Sequence, residues 1–225
     1  LYALVDDFGP DGTQHADVIR TIGSTGSTIL DLSQPASVRI GNYSEQSTIT
    51  ATVGTAVYPD VINQTRSSSQ EAENGSAAFK VTDASDTILE ETADPVTIRG
   101  GAFQSIYTFE NNTTDATSVT RSLIATDSFR LVRDRVLFKF INGSNEPVDL
   151  YVLRSGQDLD EVPPQLDDIG FAAQLNIESI ANEVEYVVRN SENTETLASM
   201  NNTQQEGVTY TLVFDTQGVL HLLTD

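Results

Sequence analysis

The hydrophobic residues of this chain come in short runs broken by turn chemistry. Val136-Leu137-Phe138-Lys139-Phe140-Ile141 stops at Asn142-Gly143-Ser144. Val148 to Leu153 opens in alternation, and Tyr186-Val187-Val188-Arg189 runs into Asn190-Ser191-Glu192-Asn193. Tyr210 to Phe214 runs into Asp215-Thr216-Gln217-Gly218, and Val219 to Leu223 follows. Runs of this length and period, bounded by Gly, Asn, Asp and Ser, predict strands. No apolar stripe at helical spacing lasts three turns. The best helical candidate, Leu175 to Val184 (LNIESIANEV), lacks clean caps. The pattern predicts an all-β sandwich or barrel.

The same order of runs occurs twice. Val38-Arg39-Ile40-Gly41, Asn42-Tyr43-Ser44 and Ile49 to Val53 match Val136 to Ile141, Asn142-Gly143-Ser144 and Val148 to Leu153. Phe79 to Thr82, a polar turn and Ile88-Leu89 match Tyr186 to Arg189, a polar turn and Leu197. Gly101 precedes Ile106 to Phe109 as Gly207 precedes Tyr210 to Phe214, and both copies close at Thr-Asp, Thr126-Asp127 and Thr224-Asp225. The expected organisation is a sandwich module over 36–127, a linker over 128–134 and a second module over 135–225, each of domain size. Residues 1–35 are an extension. Within it Leu1 to Asp6 reads like Thr209 to Phe214, and Ala16 to Arg20 like a closing strand. Leu1 to Ile22 is therefore expected to be the last hairpin of a third module, or else the first strand pair of the following one. A lone hairpin is marginal in water, so Leu1, Tyr2, Ala3, Leu4 and Val5 are candidates for strand addition to a sheet edge of this chain or a neighbour.

Charge narrows the partners. Asp and Glu number 33 against 12 Lys and Arg, a formal charge of -21. A basic nucleic-acid face is excluded, since phosphates would be repelled. Docking on anionic lipid heads is disfavoured, and no run of about 18 apolar residues predicts a membrane-spanning helix. Leu1 opens directly into Tyr2-Ala3-Leu4-Val5, so any targeting segment is expected to have been removed. There is no Cys, which removes disulfides, thiolate catalysis and Cys-zinc sites together. Lys occurs only at Lys80 and Lys139. Asn-x-Ser/Thr sequons at Asn42, Asn63, Asn74, Asn111, Asn112, Asn142 and Asn201 are possible glycan acceptors; a chain rich in Asn, Ser and Thr also makes them by chance. Both readings point to an exposed, extracytoplasmic protein.

Candidate chemistry is sparse. His15 and His221 are the two histidines. His221 lies in an alternating strand and is read as solvent-facing. No Gly-x-Ser-x-Gly elbow accompanies either histidine. The Asp6-Asp7 to Asp11-Gly12 loop and Asp158, Asp160, Glu161, Asp167 and Asp168 offer hard oxygens to calcium, but neither fits the Asp-x-Asp-x-Asp-Gly loop. Solvated acidic loops are the expectation, and no metal site, cofactor or catalytic residue is assigned. With no Trp, sugar stacking would fall to Tyr and Phe. Arg130, Arg133 and Arg135 cluster between the modules. Tyr151 and Tyr210 are read as structural, with rings in a core and hydroxyls reaching backbone. Pro163-Pro164 belongs to a crossover loop or edge. Recognition would sit on long polar loops such as Asn63 to Ser76.

The second copy resembles a family of secreted bacterial and archaeal β-sandwich modules known only as a domain of unknown function. The likeness is carried by Phe140-Ile141-Asn142-Gly143-Ser144, Val148-Asp149-Leu150-Tyr151-Val152 and Gly156-Gln157-Asp158-Leu159. Ile169-Gly170-Phe171-Ala172, Gly207 to Val213 and Leu222-Leu223-Thr224-Asp225 complete it. The first copy departs: it lacks the Asp-Tyr pair, and Ser67-Ser68-Ser69 replaces the apolar step. The resemblance implies two tandem immunoglobulin-like sandwiches in an exported or surface protein, and no catalytic activity. The expected role is a non-enzymatic structural or adhesive surface protein. Its partners would be other copies of itself or other surface proteins, in a filament built by strand addition. A calcium- or glycan-binding surface module is the alternative, and a secreted hydrolase the remaining one.

Overall fold

A computed structural model of the chain describes the backbone of residues 2–8, 14–20, 27–29, 32, 34–92, 95–112, 118–127, 135–192 and 194–224. Side chains are described from residue 32 onward within those ranges, except at 111, 112, 118 and 119. Every regular element among the described residues is a strand, so the fold is all-β. The chain divides into two compact units, Leu1–Thr108 with Val119–Phe129 and Phe109–Ser118 with Arg130–Asp225.

The first unit begins with a separate three-stranded sheet of β1 (Tyr2–Phe8), β2 (Gln14–Arg20) and β3 (Ser27–Ile29), in that order. Next come β4 (Ala36–Tyr43), β5 (Thr48–Val53), β6 (Ala56–Ile62), β7 (Thr65–Arg66), β8 (Gln70–Ala72) and β9 (Gly75–Ala77). β10 (Phe79–Asp83), β11 (Ile88–Glu91), β12 (Val96–Ile98), β13 (Phe103–Asn112) and β14 (Ser118–Thr126) follow. They form one sheet in the order β11-β10-β5-β6 and another in the order β14-β13-β4-β7, with β8 also on β4; β9 and β12 make a small pair. Alternation explains the layering. In β5 the pattern is Thr out, Ile49 in, Thr out, Ala51 in, Thr out, Val53 in. Ile49, Ala51 and Val53 meet Val38, Ile40, Tyr58, Phe79, Val81 and Ile106 in one core between the two sheets.

The second unit comprises β15 (Val136–Asn142), β16 (Val148–Arg154), β17 (Leu166–Ile169), β18 (Gln174–Ser179), β19 (Glu183–Asn190), β20 (Thr196–Thr203), β21 (Thr209–Phe214) and β22 (Leu220–Thr224). Its sheets run β17-β16-β19-β20 and β18-β15-β21-β22. β15 and β21 are parallel, Phe138 beside Tyr210 and Phe140 beside Leu212. The core joins Phe138, Phe140, Leu212 and Phe214 from one sheet to Leu150, Tyr186 and Val188 from the other. The Phe138 and Tyr186 rings meet edge-on at 5.7 Å. Each fully buried side chain of this size contributes roughly 1.5–3 kcal/mol.

The best helical candidate, Leu175 to Val184, is strand β18 and the start of β19. Leu175 pairs with Phe140 and Ile177 with Phe138. Its helical period was weak and uncapped, and the open ladder of β15 pairs with it from Gln174 to Ser179.

The order of the two larger sheets repeats in the second unit, with β15 in the place of β4 and β20 in the place of β11; β8, β9 and β12 have no counterpart. The strained backbone positions match too. The six described non-glycine residues with positive φ fall into three pairs: Asp60 (50°) with Asp168 (52°), Gln64 (61°) with Ala172 (59°), and Asp86 (63°) with Thr194 (60°). Such a conformation costs about 1–2 kcal/mol per residue, and it persists only where the surroundings fix it. One pair is fixed alike: Gln64 N donates to Asn42 O at 2.7 Å, and Ala172 N to Asn142 O at 2.8 Å. Gly101 (68°) and Gly207 (73°) also correspond, donating to Pro35 O at 3.2 Å and Arg135 O at 3.1 Å.

Candidate functional site

The sequon asparagines turn out to do different things. Asn42 is the penultimate residue of β4 and is fully buried. Its Nδ2 donates to Gln46 O at 3.1 Å and to Val61 O at 3.0 Å, while its Oδ1 accepts from Ser44 N at 3.2 Å and Ser44 Oγ at 2.8 Å. Asn142, equally buried, repeats the set: Glu146 O at 2.9 Å, Ile169 O at 2.7 Å, Ser144 N at 2.9 Å and Ser144 Oγ at 2.8 Å. Each amide thus uses all four of its bonds and ties one sheet to the other. A glycan would take one of the two Nδ2 hydrogens and has no room at a fully buried atom. In this fold Asn42 and Asn142 are knots of the frame.

The remaining sequons sit elsewhere. Asn74 is exposed, donates to Leu32 O at 2.8 Å and accepts from Gly100 N at 3.0 Å. Asn63 is half-buried and donates to Ser44 O. Asn201 is exposed on β20. The side chains of Asn111 and Asn112 lie outside the described residues, as does Leu1. The backbone of Tyr2 to Val5 pairs within the chain, opposite Arg20, Ile19, Val18 and Asp17.

A surface groove in the second unit comes from residues the sequence reading did not group. In the first unit Gly54-Thr55 alone joins β5 to β6. In the second, residues 155–165 intervene between β16 and β17 and fold back as a strap. Gly156 at φ 84° permits the reversal, where Gln157 N donates to Arg154 O at 3.0 Å and Arg154 N to Gln157 Oε1 at 2.7 Å. Asp160 N donates to Asp158 Oδ1 at 3.0 Å, and Gln165 N returns to Leu150 O at 2.8 Å. Leu159 and Val162 of the strap cover Tyr151, Leu153 and Val187 on the outward face of the sheet. Arg189 pins the strap: it donates to Asp160 Oδ1 at 3.1 Å and lies 5.7 Å from the Tyr151 ring centre. Beside the strap are two adjoining cavities of about 380 and 510 Å³ that share Leu153, Gly156, Gln157 and Glu185. The first reaches Asn201 and Thr203, the second Ser199 and Thr196. Carboxylate, amide and hydroxyl groups over a small apolar floor suit a hydroxylated ligand.

No family pattern matches the chain, and no curated protein matches it in sequence.

Other sequence candidates are accounted for locally. His221 is not solvent-facing: its side chain is 11% exposed, and Nε2 lies 2.6 Å from Asp215 Oδ2. The reason is the hairpin turn, which Asp215 closes by accepting from Gln217 N and Val219 N, each at 2.9 Å. That aspartate brings its second oxygen back onto β22. The His15 side chain lies outside the described residues. Among the described residues no three or more His, Asp or Glu converge as metal ligands. Asp158 and Asp160 serve the strap, and Asp168 N donates to Asp149 Oδ1 at 2.9 Å. Tyr210 Oη accepts from Gln205 N at 3.0 Å. Arg135 reaches Glu178 at 3.9 Å with both side chains half-exposed, while Arg130 and Arg133 lie outside the described residues.

Proposed function

We propose that this chain is a non-enzymatic extracellular structural or adhesive surface protein. In this reading it is built from two tandem immunoglobulin-like modules over 36–127 and 135–225, joined by 128–134, of the secreted kind it resembles. The observation that supports the reading best is the duplicated frame. Buried polar and strained residues in both units, Asn42 with Asp60 and Gln64, and Asn142 with Asp168 and Ala172, go into holding two sheets together in the same way. Such a chain repeats a rigid support, and its contacts are made by surfaces. Partners would be surface proteins or further copies. Addition of Tyr2 to Val5 to another sheet would use the side of β1 away from β2. Treating intact producing cells with a protease tests the location: loss of the chain from whole cells is expected, and full protection until lysis would overturn the reading.

The groove beside the strap favours a second reading, a glycan-binding surface module. Calorimetry with neutral oligosaccharides tests it. Binding that is lost on Glu185→Ala and Gln157→Ala is the expected result, and no heat with any sugar of a broad panel would end it.

A further inference from the structure

Natural sheets protect their outer strands with charge, proline, bulges or shortness, because an unpaired ladder invites another strand. The boundary strands of the four larger sheets obey this, with one exception among the described residues. β6 carries Pro59 and the positive-φ Asp60; β11 carries Glu90 and Glu91; β14 carries Arg121. β7 and β8 are two and three residues long, with Arg66 and Glu71. β17 has Asp167 and Asp168, β18 has Glu178, and β22 is only five residues long. β20 has little of this: its one irregularity, at Leu197 in the ladder with β19, lies near the start of the strand and leaves six regular residues from Ala198 to Thr203. It is eight residues long, Thr196-Leu197-Ala198-Ser199-Met200-Asn201-Asn202-Thr203, with no charged residue and no proline. The sheet ends at β20, whose one ladder partner is β19. Leu197, Ala198 and Met200 are only partly buried against the core behind it.

We infer that β20 is a self-pairing edge, and that two copies of this chain dimerise by laying β20 antiparallel to β20 so that the two sheets become one. Charge selects the occupant. In a chain of net charge -21, most surfaces bring carboxylates together when copies meet. Here the strands in contact are neutral, and Ser, Thr and Asn side chains from the two copies face one another. Glu195 directly precedes β20, and antiparallel pairing sets the two copies of it at opposite ends of the contact; the nearest acidic row is Glu183 and Glu185 on β19, opposite Thr203 and Asn201. Across the joined sheet those rows stand three strand spacings apart, roughly 14 Å, beyond the screening length of about 8 Å at physiological salt. Pairing supplies partners for the open ladder of β20 and covers Leu197 and Met200. The contact is isologous and closes at two copies, unlike strand addition by Tyr2 to Val5, which would propagate. It deepens the structural reading above by naming the partner, but oligomeric state tests it independently of cellular location.

Light scattering on the full chain is the test. The mass is expected to rise with concentration from 24.4 kDa to twice that value, and more readily at about 1 M salt, where residual repulsion is screened. Ser199→Lys with Asn201→Lys should restore the single-copy mass with an unchanged circular dichroism spectrum, while Ile88→Lys on β11 should leave the dimer intact. A second measurement does not depend on the lysine variant folding. Because the chain has no Cys, Asn201→Cys can be cross-linked by a short bis-maleimide, with Ile88→Cys as control. Cross-linked dimer from Asn201→Cys alone is expected. A single-copy mass at every concentration up to about 100 µM, or equal cross-linking of the two variants, would overturn the proposal.

Discussion

Asn142 Nδ2 donates to the Ile169 carbonyl at 2.7 Å and thereby stitches β15 to β17 across the two sheets of the second unit. The bond is one of four made by a fully buried side chain. Truncating it strands a carbonyl on each side and the amide of Ser144. A buried polar group left unpaired costs about 1–3 kcal/mol. Asn142→Ala should therefore lower stability by about 2–4 kcal/mol, read as a fall in the urea midpoint. Asn142→Asp keeps the acceptor but faces two carbonyls with a carboxylate, so it should do no better. Asn42→Ala should cost a similar amount, because the first unit uses the same four bonds.

A different polar cluster crosses the other sheet of the first unit. Arg39 on β4 donates from Nη2 to Asp127 Oδ2 at 3.1 Å and from Nε to Ser105 Oγ at 2.7 Å, and Ser105 Oγ donates to the same carboxylate. The Arg39 and Asp127 side chains are 12% and 1% exposed. Removing one partner of such a pair leaves a charge stranded in low dielectric and costs about 3–5 kcal/mol. Replacing both with apolar residues relieves that penalty. Asp127→Ala should be strongly destabilising, and Arg39→Met with Asp127→Leu should lose less than the sum of the single changes in a double-mutant cycle.

Acid titration should expose Glu90. Its carboxylate on β11 accepts from Ser122 Oγ at 2.7 Å and Ser122 N at 3.2 Å, reaching from one sheet to β14 of the other. Burial pushes its pKa above the ordinary 4.5 and outweighs those bonds and the nearby Arg121, which lower it. The native state then holds this proton to higher pH than the unfolded chain does. Stability from this group is full below pH 4.5 and falls as pH rises through the raised native value. Glu90→Gln should flatten that segment of the stability–pH curve. The difference should stay below about 1 kcal/mol, because the carboxyl keeps partial contact with water. Urea midpoints of both proteins at pH 4 and pH 7 decide the point.

The all-β class was legible because period two persists along nearly every run, as in Thr48 to Val53. The duplication was legible in the Asn-x-Ser turns, yet their meaning was not. A three-residue motif carries no information about burial, and the carbonyls that Asn42 and Asn142 hold come from Val61 and Ile169, in the opposite sheet. His221 misled for a related reason. Alternation assigns a face, but the partner is supplied by a hairpin turn six residues earlier. The groove was invisible because β16, β19 and β20 contribute to it from distant parts of the chain. A usable signal was the strap itself, residues 155–165, which the first copy lacks.

Two buried tyrosines should respond oppositely to loss of the hydroxyl. Tyr186 Oη accepts from Gln204 Nε2 at 2.8 Å, so Tyr186→Phe leaves a buried amide short of an acceptor and should cost about 1 kcal/mol. Tyr58 is fully buried, and its Oη has no hydrogen-bond partner among the described residues. Burial pushes its pKa up to about 12. The native state keeps this proton where the unfolded chain, near pH 10, loses it, so stability falls as pH rises from about 10 to 12. Tyr58→Phe removes a hydroxyl desolvated without compensation. It should leave stability unchanged or raise it by up to about 1 kcal/mol at neutral pH, and remove part of the alkaline loss. Thermal melts at pH 7 and pH 10.5 separate the outcomes. A Tyr58→Phe protein less stable than wild type at neutral pH would mean that the hydroxyl is satisfied in solution and that the core around it is wetter than the structure has it.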